Sequence, residues 1–293
     1  MRLQSAMEYL MTYGWALLAI AVVLAVLALI GVFNPLTFSP KAEPGACSVY
    51  RANGPFSSEF PQLQGPCTGL LPKFVAVFGN GAYASISGAS QDFTPNSVTL
   101  AGWVYPDAAV SSNGLIIALG NAAGLQISPG GSGSQFVPQA VLLGVGSCSP
   151  FCTLSGPSLG INQWYFIAET YNDINGAQYL YVNGQVEGNA VVSPAGPLPA
   201  SVSANIDVGA LPGNGDYYYG MLANLQVYNA TLGPQAINTL YLGGIGAEPT
   251  DLTHLVGWWP LNGNANDYSG DSGNMTGSGI TYSGTWYTDY SKP

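Results

Sequence analysis

From Tyr9 to Pro40 the chain carries no charged side chain, and from Trp15 to Phe33 it reads WALLAIAVVLAVLALIGVF. At about 1.5 Å per residue, a helix over that run just spans a hydrocarbon core of ~30 Å. Its apolar residues surround the helix instead of lining one side, so the helix belongs in lipid or inside a bundle of its own kind. Asn34-Pro35 ends it, because a residue before proline is pushed out of the α region. A cleaved secretory signal has its charges first, then a short apolar core and a small-residue cleavage site. Here the apolar run is too long, no A-x-A site follows, and a polar, aromatic-bearing stretch precedes it. A plain membrane anchor would need no Glu8. A carboxylate in an otherwise uncharged membrane-length helix is costly unless paired, which makes Glu8 a functional candidate; the simpler alternative is a flanking charge at headgroup level.

The remainder is of another character. Charged residues make up 7% of the 293, against roughly 25% in an average soluble domain. Yet Gly 39 and Pro 21, with abundant hydroxyl and amide side chains, describe a turn-rich all-β extracellular domain, not a polytopic membrane protein. The net charge of -10, with only 5 Lys and Arg, offers no basic footprint for a phosphate backbone and excludes nucleic acid as a partner. Four cysteines, Cys47, Cys67, Cys148 and Cys152, form no C-x-x-C pair, and the single histidine, His254, is far from them in sequence, which argues against structural zinc. Four cysteines allow three pairings. Cys47–Cys67 with Cys148–Cys152 closes the shortest loops and is expected on the oxidising side of a membrane; the alternative is four free buried thiols. Residues 34–73, with seven prolines and little periodicity, read as an irregular neck pinned by the first bridge.

From Phe74 on, short segments recur between Gly, Asn and Pro turns. FVAVFG, SVTLAGWVY, GLIIALG, QAVLLGVG, WYFIAETY, AQYLYVNG, NIDVGAL and MLANLQVYN each fit a strand. Only QAINTLYL, Gln235–Leu242, reads as a short helix, opened by Gly233-Pro234. The spacing predicts an antiparallel β-sandwich (a jelly roll) behind one N-terminal α-helix.

Two resemblances sharpen this reading. QSAMEYLMTYGWALL, Gln4 to Leu18, resembles the N-terminus of archaeal type IV pilins. That resemblance implies a short basic leader, residues 1–3 (a class III signal peptide), cut between Leu3 and Gln4 by a prepilin peptidase. It also implies an assembly helix over 4–33, and makes Glu8 the fifth residue of the mature chain, where pilins hold a glutamate that pairs with a neighbour's N-terminal amine. Pilin leaders usually end in a small residue, and Leu3 departs from that pattern.

The head, 74–293, resembles the laminin G-like, concanavalin A-like superfamily. FGNGAYASI and VTLAGWVYP are similar to its opening strands, WYFIAETYNDINGAQYLYVNG to its paired hairpin, and IDVGALPGNGDYYYGMLANLQVYNATLGPQAINTLY to its closing part. LVGWWPLNGNANDYSGDSGNMTGSGITYSG, within 255–293, resembles the segment that normally begins such a domain. Either a second such domain is cut short here, or the head is circularly permuted and this strand closes the sandwich from behind; the second is expected, with Trp258 at least half buried.

The fold family includes glucanases, which need two closely spaced carboxylates. Glu169, Asp173 and Glu187 read as isolated by turn residues, and one histidine supplies no nucleophile triad, so no enzyme is expected. Such domains bind glycans, sometimes through calcium. Asn264, Asp267 and Asp271 are candidate calcium ligands in a Gly-rich loop, against the plainer reading of an Asx-rich turn with no ion; no cofactor is required. Tyr217, Tyr218 and Tyr219 are candidate stacking faces for sugars, and Asn229 and Asn274 stand in N-glycosylation sequons.

Together the resemblances imply a filament subunit. Its precursor sits in the cytoplasmic membrane, and the subunit then polymerises with itself through the pilus assembly machinery, displaying an adhesive, glycan-binding head outside the cell. The alternative is a membrane-anchored surface lectin that never polymerises.

Overall fold

The structure, a computed structural model, describes the chain apart from Met1 and residues 30–31, 34, 56, 88–95, 108–111, 200–204, 211–215 and 272; of residues 2–12, 35 and 87 it describes the backbone only. The chain divides into two units, Met1–Ser39 and Pro40–Pro293. The first is dominated by helix α1, Arg2–Leu29, 28 residues long. Its described side chains are exposed nearly all round, Trp15 at 72% and Leu17 at 66%. Among the described residues no helix is by itself long and apolar enough to cross a membrane, the fully described part of α1 beginning only at Tyr13.

The second unit opens with four short strands, β1 (Lys41–Ala42), β2 (Ser48–Tyr50), β3 (Gln62–Gln64) and β4 (Leu71–Pro72). The body follows as β5 (Val75–Phe78), β6 (Tyr83–Ser87), β7 (Val98–Pro106), β8 (Gly114–Leu119), β9 (Ala123–Pro129), β10 (Gln135–Val145), β11 (Cys148–Ser155) and β12 (Leu159–Gly160). Then come β13 (Tyr165–Tyr171), β14 (Ala177–Val182), β15 (Gln185–Val191), β16 (Asn205–Val208) and β17 (Gly220–Tyr228). After helix α2 (Pro234–Gly243) the chain adds β18 (Leu255–Trp259), β19 (Thr276–Ser278), β20 (Thr281–Ser283) and a 3-10 turn at Trp286–Asp289.

Two antiparallel sheets stack as a sandwich. The front sheet runs β11-β10-β9-β8-β16-β6-β19, with β12 beside β10; the back sheet runs β15-β14-β13-β7-β17-β5-β20, with β18 beside β17. Between them lie Leu100, Ile117, Phe136, Ile167, Val208 and Leu222, all without exposed surface. Period-2 alternation puts these residues on one face of each strand. In β7 and β13 the other face is buried as well, because α2 and the C-terminal turn cover it. Trp103 stacks on Tyr241 of α2 at 6.0 Å and meets Tyr290 edge-on at 5.6 Å, and Trp164 meets Trp286 at 6.2 Å. Each of the eight segments read as strands from the sequence contains one. β9, β11 and β15 were not read, since their outward amides, prolines and glycines mask the alternation.

The turn chemistry is local. β14 and β15 are joined by Asn183-Gly184, with φ of 50° and 76°, the two positive values a two-residue type I′ hairpin needs. Asn183 Oδ1 also accepts the Phe166 N–H at 3.0 Å, docking the hairpin to β13. Helix α2 matches the expected Gln235–Leu242 to within a residue at each end, with proline in its first turn.

Both ends of the head are built into the sandwich, the second as expected. The irregular neck over 34–73 is not separate: from Pro40 the chain is part of the sandwich unit. The reason is Arg51, buried with its Nε 2.9 Å from Asp271 and its other nitrogens donating to the carbonyls of Ser57 and Leu255. The residues after Leu255 enter both sheets. β17 bends at a bulge between Ala223 and Gln226, pairing with β5 on one side of it and β18 on the other, so these two strands share one flank of β17 end to end. β19 extends the front sheet and β20 the back. Trp258 and Trp259 are 4% and 0% exposed. Gly257 is required beside them, since a Cβ there would meet the Trp259 ring at 2.0 Å.

Candidate functional site

The outward face of the front sheet is built by register. Residues directly opposite across antiparallel strands share a face, so Val141, Gly124, Ala118, Asp207, Ser85 and Thr276 form one row across six strands. Their sequence neighbours Ala140, Leu125, Ile117, Val208 and Ala84 belong to the core, which fixes this row as outward. A second row holds Ser155, Gln139 and Gln126. Gln126 Nε2 donates to Gln139 Oε1 at 2.9 Å, and Gln139 Nε2 donates to Ser155 Oγ at 3.1 Å. The row grades from exposed hydroxyls at β11 to Asp207, which is 4% exposed. Asp207 Oδ1 has no hydrogen-bond partner, and burial raises its carboxyl above the ordinary aspartate value. Neither the amides nor Asp207 was singled out from sequence. The signal was present in NIDVGAL, where alternation turns Asp207 away from the core that receives Ile206 and Val208.

The residues expected to matter fall differently. Leu3, Gln4 and Glu8 lie on α1, but their side chains are outside the described residues. Both expected disulfides are formed, Cys47–Cys67 and Cys148–Cys152, with Cα–Cα distances of 4.8 and 4.7 Å. Asn229 and Asn274 are exposed; the Asn274 amide oxygen accepts the Asp267 N–H at 2.9 Å.

The calcium expectation is corrected. Asp267 Oδ1 accepts the N–H groups of Trp258 and Ser269, and its Oδ2 accepts the Gly273 N–H and the Ser269 hydroxyl. Asp271 faces the Arg51 guanidinium, and Asn264 Oδ1 accepts the Asn266 N–H. The loop's oxygens bind its own backbone and a buried cation, so it is an Asx-rich turn. Among the described residues no group of three or more His, Cys, Asp and Glu could hold a metal ion.

Tyr218 is likewise a core residue, 0% exposed, its hydroxyl donating to the Met221 carbonyl at 3.2 Å; Tyr219 is 39% exposed and Tyr217 half-buried. Glu169 is not isolated by turns. It stands mid-strand in β13, fully buried, with Oε1 accepting from Gln178 Nε2 at 2.9 Å and Oε2 unpartnered. Burial pushes its carboxyl up to about 8. Sealed between the sheets, it has no path to a substrate.

A cavity of about 50 Å³ lies where the neck meets the C-terminal segment, walled by Cys47, Cys67, Leu70, Asn224, Trp258 and Asn262. Its polar walls are already bonded, Asn224 to Ala247 and Trp258, Asn262 to Phe74 and Ala42. It is a packing void.

With this geometry in place, the comparison with known families is decisive: a model of the concanavalin A-like lectin/glucanases superfamily matches residues 78–238. The chain belongs to that superfamily. Among solved structures this lectin-fold head is similar to a Bacteroides ovatus protein for which carbohydrate binding is inferred, at 18% identity and a TM-score of 0.57, over 76% of this chain and 63% of that one. The chain thus spans less than two thirds of that protein's length. It is also similar to the heptameric SAP-like pentraxin of Limulus polyphemus, at 14% identity and a TM-score of 0.48, over 71% of this chain and 94% of the other. At such identities the likeness is one of fold. No protein of curated function matches the sequence.

Proposed function

We propose that this chain is the subunit of a type IV pilus-like surface filament whose lectin-fold head binds glycans. The observation that carries the reading is the junction on one chain of two parts. One is the Gln4–Leu18 segment leading into a 28-residue helix, uncharged from Tyr9 on; the other is a head of a lectin superfamily. At about 1.5 Å per residue the helix is long enough to sit in a bilayer and then pack against copies of itself. The carbohydrate binding inferred for the similar Bacteroides ovatus protein supports the assignment of the head, as does the burial of Glu169, the strongest acid candidate for catalysis.

Glu8→Ala tests the filament role. Surface material sheared from cells making the wild-type chain is expected to show filaments by negative-stain microscopy. The variant is expected to accumulate in the membrane fraction and form none. Normal filament yield from Glu8→Ala would sink the pairing role of the glutamate, and wild-type cells without filaments would favour the membrane-anchored lectin.

A further inference from the structure

We propose that Asn80, on the turn between β5 and β6, is a site of spontaneous covalent modification, where the folded chain converts an amide to aspartate and isoaspartate without an enzyme.

The chain holds seven Asn-Gly pairs. In such a pair the glycine nitrogen can attack the asparagine side-chain carbonyl, because no side chain on glycine obstructs the approach. The new bond joins the Gly N to the Asn Cγ, the Cγ–Nδ2 bond breaks, and Nδ2 leaves as ammonia. One water then opens the ring at either of its carbonyls, leaving aspartate or isoaspartate. The step needs the carboxamide free to swing over the next peptide and an N–H free to lose its proton. Ring closure is fast only from a geometry close to attack, so the fold decides which pair reacts.

Asn214 lies outside the described residues, and five of the other six pairs are held. Asn53 Nδ2 donates to Glu59 Oε2 at 2.6 Å, and the Gly54 N–H donates to the Arg51 carbonyl. Asn175 Oδ1 accepts the Ala177 N–H, and the Gly176 N–H donates to the Asn172 carbonyl. Asn183 Oδ1 accepts the Phe166 N–H. Asn262 is bonded at both ends, its Oδ1 to the Phe74 N–H and its Nδ2 to the Ala42 carbonyl, and the Gly263 N–H donates to the Leu261 carbonyl. After Asn113 the glycine is buried at the start of β8, where a Cβ would lie 3.2 Å from both the Tyr217 carbonyl oxygen and the Tyr218 Cα.

Asn80 differs on each count. It is exposed at the corner of a tight turn closed by the Ala82 N–H donating to the Gly79 carbonyl at 3.0 Å. Gly81 takes the positive φ, 78°, that the third position of a type II turn demands. Among the described residues no other part of the chain bonds the Asn80 carboxamide or the Gly81 N–H. A Cβ built at Gly79 or Gly81 meets nothing within 4 Å, so the turn has room for the ring and for the longer backbone of isoaspartate. The sandwich keeps its fold while the turn gains a carboxylate, and the altered fraction records how long a chain has existed since folding.

The test holds the full chain, folded in detergent micelles at mildly alkaline pH, beside a sample unfolded in urea. Both are sampled over weeks, and peptic peptides are read by mass spectrometry for an acid in place of an amide. In urea the seven pairs should convert at similar rates. In the folded chain Asn80 should convert at least about tenfold faster than Asn53, Asn113, Asn175, Asn183 and Asn262, as attack geometry requires. Asn80→Asp should melt within about two degrees of the wild type, as a surface change does. Any of those five pairs keeping pace with Asn80 in the folded chain would overturn the proposal. So would an Asn80 that stays intact when folded after the unfolded sample has converted. An Asn80→Asp head that melts far below the wild type would overturn the claim that the fold accepts the product.

Discussion

Glu169 is the residue most out of keeping with its surroundings, a carboxyl in a core of Ile167, Tyr171 and Leu180 with one amide for company. Its value is raised from the ordinary 4.5 to about 8, so between those limits the folded chain holds a proton that the unfolded chain has released. Stability therefore falls as pH rises through that window, and is fully present only below it. Melting curves at pH 5 and pH 8.5 should show the wild type losing stability and Glu169→Gln losing less. Parallel losses in the two proteins would mean that the carboxylate finds compensation elsewhere. Sequence could not place this residue, since the turns near Glu169 hide that strand β13 is covered on both faces. The same limit applies to Asp267: a calcium loop and an Asx turn use the same residue types, and only the direction of the lone pairs separates them. Tyr218 and Tyr219 differ by one position, which in a strand-like segment is the difference between core and solvent.

Among elements, those with local causes were legible. The Asn183-Gly184 turn, the proline that opens α2 and the period-2 strands each carry their signal within a few residues. The docking of the neck was not legible because its anchor is remote: Arg51 meets Asp271, which lies more than two hundred positions away in sequence. Removing one partner of a buried ion pair typically costs about 3–5 kcal/mol, and here the carbonyls of Ser57 and Leu255 would also lose their donor. Arg51→Met is expected to lower the melting temperature of the head by about 10 °C, measured by circular dichroism on the full chain. A shift under two degrees would show that the neck contributes little to the fold.

For the whole molecule, the C-terminal residues complete the two sheets. β18, β19 and β20 supply strands to both, and Trp259, Leu261 and Trp286 are almost entirely buried. Deleting residues 255–293 should leave the head insoluble or without a cooperative melt, because an aromatic removed from a core already costs about 3–5 kcal/mol by itself. A truncated chain that stays soluble and melts within a degree of the intact one would make this segment an appendage. The end-to-end placing of β5 and β18 on β17 also sets a clock. The strand beside one half of β17 is synthesised early in the head, and the strand beside the other half only after α2. At about 5–20 residues per second, half of that flank stays unpaired for about 2–6 seconds after β17 is made. A chain released from its N-terminus can close both sheets only once β18, β19 and β20, among its last residues, are free to pair.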